Sequence, residues 1–103
     1  MQFFHVAPTT WTPGEDLVCW NVLEARGWVD ASDWKWPEAP VGFDGRLVCL
    51  YETRREAECH VAEHGGQLLV VTIDAEDADL IVRVDEGFPA IQHCIPAAWV
   101  ERA

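Results

Sequence analysis

The sequence predicts a small α+β domain whose sheet is split or mostly antiparallel and is accompanied by two main helices. Predicted strands outnumber predicted helices, and three of the strands follow one another near the C-terminal end. The regular alternation of strand and helix that marks a doubly wound fold is absent, and so is any repeat period. With 103 residues, 50% of them hydrophobic, we expect a single domain over residues 1–103 with one small core.

The first two predicted elements are a strand and a capped helix. Residues 2–7 (QFFHVA) have the composition of a strand, which a following proline ends. Thr12 is placed as an N-cap, a proline occupies the first helical position, and Glu15 is the reciprocal capping partner. Apolar residues then recur at helical spacing, so a helix is predicted over 13–26, with Gly27 as its stop.

A tryptophan-rich segment follows this predicted helix. Residues 28–45 hold three Trp, two Pro and two Gly with no clean period, which predicts a long ordered loop. Trp28, Trp34 and Trp36 lie near proline, glycine or acidic residues, as does Trp11. Because tryptophan is enriched at binding hot spots, we predict that residues 28, 34 and 36 bind a protein partner through a surface groove or interface.

The next two elements repeat the pattern of strand and capped helix. Residues 46–51 (RLVCLY) predict a strand. Thr53 and Glu56 form a second capping signature, which predicts a helix that begins at this point and runs to His64. The glycine pair at 65–66 supplies the stop.

The remaining chain predicts three strands and a short closing helix. Residues 67–73 (QLLVVTI) are nearly all apolar, which is typical of a strand at the centre of a sheet. Residues 80–85 and 90–95 predict an antiparallel hairpin. Residues 96–103 (PAAWVERA) predict a helical turn or short helix.

The charge of the chain limits the partners that we expect. Eighteen acidic residues against seven basic ones give a formal net charge of −11, with the densest acidic run at 74–79 (DAEDAD). Direct binding to a nucleic-acid backbone requires Lys and Arg, so this class of partner is not expected. A basic protein partner is compatible with the charge. The longest apolar run is LLVV, so no membrane span is expected.

Cysteine usage indicates a reducing compartment. Cys19, Cys49, Cys59 and Cys94 form no CxxC pair, and each falls inside a predicted helix or strand. This pattern is typical of small buried apolar residues in the cytoplasm. The N-terminus lacks the basic region and long apolar run of a signal peptide, so a cytoplasmic location is expected.

Metal and thiol chemistry find little support in the sequence. His60 and His64 share a face of the second predicted helix, but no acidic third ligand stands at a standard motif spacing. We therefore predict no metal site and a helix flank with exposed histidines. Cys94 follows His93 in a predicted strand, where neighbours point to opposite faces and cannot pair as nucleophile and base. Phosphate-loop, dinucleotide and serine-hydrolase motifs are absent from the sequence.

Three residues remain that can form a site together. His5 is central in the first predicted strand, Tyr51 ends the second, and Glu86 lies at the predicted hairpin. Each has an ordinary structural interpretation by itself: a core or edge histidine, an amphipathic tyrosine, and a turn glutamate.

The order of the elements and three segments of the sequence indicate how these residues could act together. Over nearly the whole chain, the sequence resembles the ADP-ribosyltransferase-like fold family. The segments that carry this resemblance are FFHVAP with the first helix, RLVCLYETRREAECHVAEHGG, and DEGFPAIQHCIPAAWV. The resemblance implies a cleft that holds NAD between two small sheets. It implies that His5 hydrogen-bonds the nicotinamide ribose, that Tyr51 stacks on the nicotinamide, and that Arg54 and Arg55 are candidates to hold the pyrophosphate. A late glutamate would support an oxocarbenium-like transition state, and Glu86 is the nearest candidate for this catalytic role.

The sequence departs from the family pattern at one decisive point. The late strand is AIQHC and contains no acid, so Glu86 would have to reach the cleft from the hairpin. This leaves open a second hypothesis, a non-catalytic module of the same fold whose acidic, Trp-rich surface binds a protein. A third hypothesis is an acidic mimic of nucleic acid that blocks a DNA-binding protein. The predicted function is an NAD-binding domain that transfers ADP-ribose to a macromolecule, with the interaction module as the alternative.

Overall fold

Short strands dominate the computed structural model, which describes residues 1–18, 47–84, 87–92 and 94–103. The strands and the α-helix are β1 (Gln2–Ala7), β2 (Leu17–Val18), β3 (Leu47–Cys49), α1 (Arg54–His64), β4 (Gln67–Thr72), β5 (Ile81–Val84), β6 (Phe88–Gln92), β7 (Cys94–Ile95) and β8 (Val100–Arg102). Two 3₁₀ segments cover Ala75–Leu80 and Ala97–Trp99. The predictions for residues 19–46, Glu86 and His93 lie outside these described ranges.

Three antiparallel sheets confirm the coarse α+β prediction for the described part of the chain. Their strand orders are β1-β4-β8, β2-β7 and β3-β6-β5. β4 is central in its sheet, as its apolar composition predicts, and β5 with β6 forms the predicted hairpin. The predicted strand at 2–7 is confirmed by β1, and the predicted helix after Thr53 is confirmed by α1.

A backbone junction joins the two three-stranded sheets. Phe4 and Tyr51 exchange two hydrogen bonds, of 2.8 Å and 2.7 Å between nitrogen and oxygen. The neighbouring Leu50 nitrogen donates to the Pro89 carbonyl of β6 at 2.8 Å. The chain after β3 therefore crosses from the β3-β6-β5 sheet to β1. This arrangement agrees with the predicted split sheet.

The predicted start of the first helix is wrong. Within the described residues, 13–16 form a turn and 17–18 form β2, which pairs with β7. The nitrogen and Oγ1 of Thr12 donate to the Glu15 carboxylate at 2.8 Å and 3.0 Å, so the contact of the glutamate with the N-cap residue forms. These hydrogen bonds close a turn because burial of Leu17 and strand pairing to Ile95 favour extended backbone directly after it.

The C-terminal predictions also need correction. The predicted strand at 90–95 is divided between β6 and β7, which pair with different strands. The predicted closing helix over 96–103 consists of a short 3₁₀ segment followed by β8. β8 pairs with β4 because this central strand offers backbone hydrogen bonds on the side away from β1.

Burial of the cysteines differs from the prediction at two positions. Cys49 is buried, as expected. Cys59 and Cys94 are exposed, because one lies on the solvent side of α1 and the other alternates with the buried Ile95 along β7. Trp11 is buried in the core and donates from its indole nitrogen to the Glu15 carbonyl at 3.2 Å.

The two faces of β1 contact different groups of residues. Phe3 and Ala7 belong to the main core, which also contains Leu69 of β4. Val6 lies on the other face in a smaller cluster with Tyr51, beneath α1. β1 therefore separates the main core from the helix-covered face. Among the described helices, none has the length and apolar composition to cross a membrane.

Candidate functional site

His5 lies in the middle of β1 and is only 6% exposed. Its Nδ1 lies 2.8 Å from the Cys49 carbonyl oxygen. A carbonyl only accepts, so Nδ1 carries the proton and donates, and Nε2 is the acceptor nitrogen of the neutral ring. Burial lowers the pKa of His5 to about 4, against the opposing effect of the Cys49 hydrogen bond, and His60 lowers the pKa further.

A small cavity adjoins His5. Its lining residues are His5, Ala7, Pro8, Trp11, Asp16, Leu17 and Val18. The volume of about 10 Å³ is close to the minimum that accommodates one water molecule. A ligand as large as a nicotinamide would therefore have to open this cavity before it could reach His5.

Tyr51 lies at the junction of the two sheets and is buried beneath α1. Its hydroxyl lies 2.9 Å from Nδ1 of His60, and the two rings meet edge to face with centroids 5.8 Å apart. Burial raises the pKa of Tyr51 to about 12, and the nearby Glu56 adds to the effect. Tyr51 therefore keeps its proton at neutral pH.

Two histidines extend this contact along α1. The rings of His60 and His64 have centroids 5.4 Å apart and an interplanar angle of 84°. Burial lowers the pKa of His60, and His64 lowers it further, whereas Glu63 opposes the change. The His60 ring is therefore neutral at pH 7. We call Tyr51, His60 and His64 the imidazole–phenol cluster.

The structure does not bring the side chains of His5 and Tyr51 to one face. Tyr51 pairs directly with Phe4, and paired residues of antiparallel strands point to the same side. His5 follows Phe4 along the strand, so its side chain points to the opposite side, toward the main core. The two predicted site residues are close along the backbone, but β1 lies between their side chains.

The predicted pyrophosphate ligands lie at the start of α1. Arg54 Nε donates to the Glu58 carboxylate at 2.9 Å, whereas Arg55 is exposed. The helix N-terminus is already capped, since Thr53 Oγ1 accepts from the Glu56 nitrogen and donates to the Glu56 carboxylate. A phosphate would compete with this carboxylate for the positive end of the helix.

The contact between Tyr51 and His60 is the feature that sequence reasoning missed. The prediction of exposed histidines on this helix is wrong for His60, which is half-buried. One signal was present: Tyr51 stands two residues before the N-cap Thr53, close in sequence to the helix that carries His60. Glu86, Trp28, Trp34 and Trp36 are outside the described ranges, and their site roles stay predictions.

Comparison with protein-family models, with curated proteins and with solved structures finds no match to this chain. In the part of the chain that the structure describes, no group of three or more His, Cys, Asp or Glu side chains converges on a single metal position.

Proposed function

We propose that this chain is a small ADP-ribosyltransferase-like domain that binds NAD and transfers ADP-ribose to a macromolecule. The observation that carries the proposal is the state of His5. Its ring is buried and neutral, and the Cys49 carbonyl fixes the proton on Nδ1. A fixed, uncharged acceptor at Nε2 is suited to receive a hydrogen bond from a ribose hydroxyl.

The position of His5 in the fold supports the same proposal. β1 lies at the junction between the two three-stranded sheets, where the resemblance implies a nucleotide cleft. The adjacent cavity is lined by Trp11, whose aromatic ring is a surface on which a flat ring can pack. Binding would enlarge this cavity, so the environment of Trp11 would change when NAD enters.

Calorimetric titration with NAD, combined with chromatographic detection of released nicotinamide, tests the proposal. We expect saturable heat for the wild type and its loss in His5→Gln, whose fold is checked by circular dichroism. His64→Ala is the matched control, because His64 is exposed on α1, and it should bind normally. Glu86→Ala should retain binding and lose nicotinamide release. Absence of both heat and release at millimolar NAD would refute the proposal.

A second candidate is a non-catalytic module that binds a basic protein. One observation favours it: β1 separates the side chains of His5 and Tyr51, so the nicotinamide and ribose of one NAD molecule do not contact both in this arrangement. The exposed acidic segment at 74–79 and the net charge of −11 suit a basic partner.

Affinity capture with the wild type and with Trp34→Ala and Trp36→Ala tests the second candidate. We expect a basic protein in the wild-type eluate that decreases in both variants and dissociates as salt rises. Identical eluates from all three proteins would count against a role for these tryptophans. Capture that persists unchanged in high salt would count against the acidic surface.

A further inference from the structure

The segment that joins β1 to β2, residues 8–16, forms one wall of the cavity beside His5. Pro8, Trp11 and Asp16 line the cavity from this segment, and the other lining residues belong to the two strands that the segment joins. The cavity therefore lies between the segment and the strands. Because its volume suits no more than one water molecule, a larger ligand reaches His5 only if the segment moves.

Side-chain hydrogen bonds hold both ends of this segment against the rest of the fold. The Gln67 amide nitrogen donates to the Pro8 carbonyl at 2.9 Å and to the Trp11 carbonyl at 2.8 Å. At the other end, the Ala97 nitrogen donates to Asp16 Oδ1 at 2.8 Å. Within the described part of the chain, the backbone-to-backbone hydrogen bonds of the segment join only its own residues. The segment can therefore separate from the fold without breaking a strand pairing.

The two sides of the segment differ in their exposure to solvent. On the inner side, the Trp11 ring is buried in the main core. Its indole nitrogen donates to the Glu15 carbonyl of the same segment at 3.2 Å, so the ring and the segment would move together. On the outer side, the exposed residues are Thr9, Thr10, Thr12, Pro13 and Gly14. The segment can therefore move outward into solvent.

We propose that residues 8–16 form a lid over His5, that Gln67 is the latch of this lid, and that the Trp11 ring leaves the core when the lid opens. Opening exposes Nε2 of His5 and the Asp16 carboxylate, which both accept hydrogen bonds. The open site therefore selects a ligand that carries hydroxyl or amino donors, as a ribose does. The lid is inferred from the contacts of the segment and does not depend on the proposed NAD activity.

The number of hydrogen bonds at each end of the lid sets the expected size of the effects. The open state is a minor one, because the Trp11 ring must leave the core to reach it. A net hydrogen bond changes an equilibrium constant by a factor of roughly five. Loss of both bonds from Gln67 should therefore raise the open population about tenfold to thirtyfold, and loss of the single bond at Asp16 about fivefold.

Modification of the full chain by diethyl pyrocarbonate, followed by peptide mass mapping, measures lid opening as the rate at which His5 reacts. The partly exposed His64 serves as the internal reference for the reagent. We expect Gln67→Leu to raise the His5 rate about tenfold to thirtyfold and Asp16→Ala to raise it about fivefold. Asp16→Asn keeps a side-chain oxygen acceptor and should stay within about twofold of the wild type. Gln2→Leu is the matched control, because this exposed glutamine lies at the far end of β1.

Hydrogen exchange measured by mass spectrometry separates lid opening from unfolding of the whole chain. In Gln67→Leu, amides of residues 8–16 should exchange faster, while amides at the centre of β4 keep the wild-type rate. Equal acceleration in both regions, or an unchanged His5 rate in both Gln67→Leu and Asp16→Ala, would overturn the lid.

Calorimetry with NAD keeps the lid distinct from the proposed function. If NAD binds at His5, Gln67→Leu should bind it more tightly by the factor that the His5 reaction rate gives, because more of the protein is in the open state. Selective reactivity of His5 without NAD binding by any variant would support the lid and refute the proposed nucleotide. NAD binding by Gln67→Leu at wild-type strength would overturn the role of Gln67 as the latch of the site.

Discussion

At the residue scale, burial sets the chemical states of His5 and Tyr51. The sequence placed His5 in a strand, which β1 confirms, whereas Tyr51 lies two residues beyond the end of β3 and forms an isolated bridge with Phe4. It did not predict which face of the sheet each side chain occupies. That depends on the pairing of Phe4 with Tyr51, which connects positions far apart in the chain. The local sequence contains no information about this register.

The buried state of His5 predicts a dependence of stability on pH. The pKa is about 4 in the folded chain against 6.5 in the unfolded chain, so between these values only the unfolded chain binds the proton. The stabilisation is fully present above pH 6.5 and is lost as pH falls toward 4. This difference between the folded and unfolded pKa of His5 corresponds to roughly 3 kcal/mol in the free energy of unfolding.

Urea unfolding of the wild type and His5→Gln at pH 7.5, 5.5 and 4.5 measures this contribution. Other groups also titrate in this range, so the informative quantity is the difference in free energy of unfolding between the wild type and the variant at each pH. The wild type should lose more free energy of unfolding than the variant over the interval. Parallel pH profiles would contradict the assignment of a buried, neutral His5.

The tyrosine gives a second measurement at the residue scale. The chain contains one tyrosine, so the absorbance of tyrosinate reports Tyr51 alone. Because burial raises its pKa to about 12, half-ionisation of the folded chain should occur near pH 12, and near pH 10 in denaturant. The contribution of this pKa difference to the free energy of unfolding is fully present below pH 10 and is lost as pH rises from 10 to about 12. Half-ionisation of the folded protein near pH 10 would show that the phenol is accessible to water.

At the element scale, two similar capping signatures have different outcomes. Thr53 and Glu56 begin α1, whereas Thr12 and Glu15 make the equivalent side-chain contact across a turn. The difference arises after the cap. Leu17 is buried in the main core as part of β2 and its strand pairs with β7, so tertiary contacts override helix propensity at this site.

The glycine pair after α1 supplies a prediction about an element boundary. Gly65 and Gly66 both have positive φ, 76° and 103°, so alanine at either costs roughly 1–3 kcal/mol of backbone strain. A Cβ on Gly66 would also lie 2.7 Å from Val6 Cγ1 and 2.8 Å from the Ala7 oxygen. A Cβ on Gly65 meets nothing within 4 Å.

Gly66→Ala should therefore lower the free energy of unfolding by about 1–3 kcal/mol more than Gly65→Ala, because β1 cannot move away from the added methyl group without breaking its pairing. Chemical denaturation of both variants measures the difference, and Gly65→Ala serves as the matched control for strain. Equal losses in the two variants would mean that the close approach of Gly66 to β1 is absent.

At the scale of the whole molecule, the acidic composition governs how the chain responds to salt. The formal net charge is −11, and the exposed segment at 74–79 concentrates part of it. Repulsion between like charges destabilises the compact state, and salt screens it, since the screening length falls from roughly 30 Å at 0.01 M to about 3 Å at 1 M.

The melting temperature should therefore rise when NaCl is increased from about 0.01 M to 0.5 M. The rise should be smaller in a variant that carries Asp74→Asn, Glu76→Gln, Asp77→Asn and Asp79→Asn, because less repulsion remains to be screened. Differential scanning calorimetry of the two proteins measures both effects. A melting temperature that is independent of salt in the wild type would indicate that attractive pairs offset the repulsion.

Local sequence patterns specify most of the described strands, α1 with its cap and stop, the central position of β4, and the hairpin of β5 and β6. These features follow from local composition and from side-chain periodicity, which a short segment contains in full. The composition also gives the chain its acidic character.

Strand pairing and the contacts between distant side chains depend on tertiary structure. The closing segment forms β8 because it pairs with the backbone of β4. His60 contacts Tyr51 because α1 packs over the junction between the sheets. β1 separated His5 from Tyr51 through its register with the segment after β3. Such outcomes depend on contacts between distant parts of the chain, whose energies no local pattern contains.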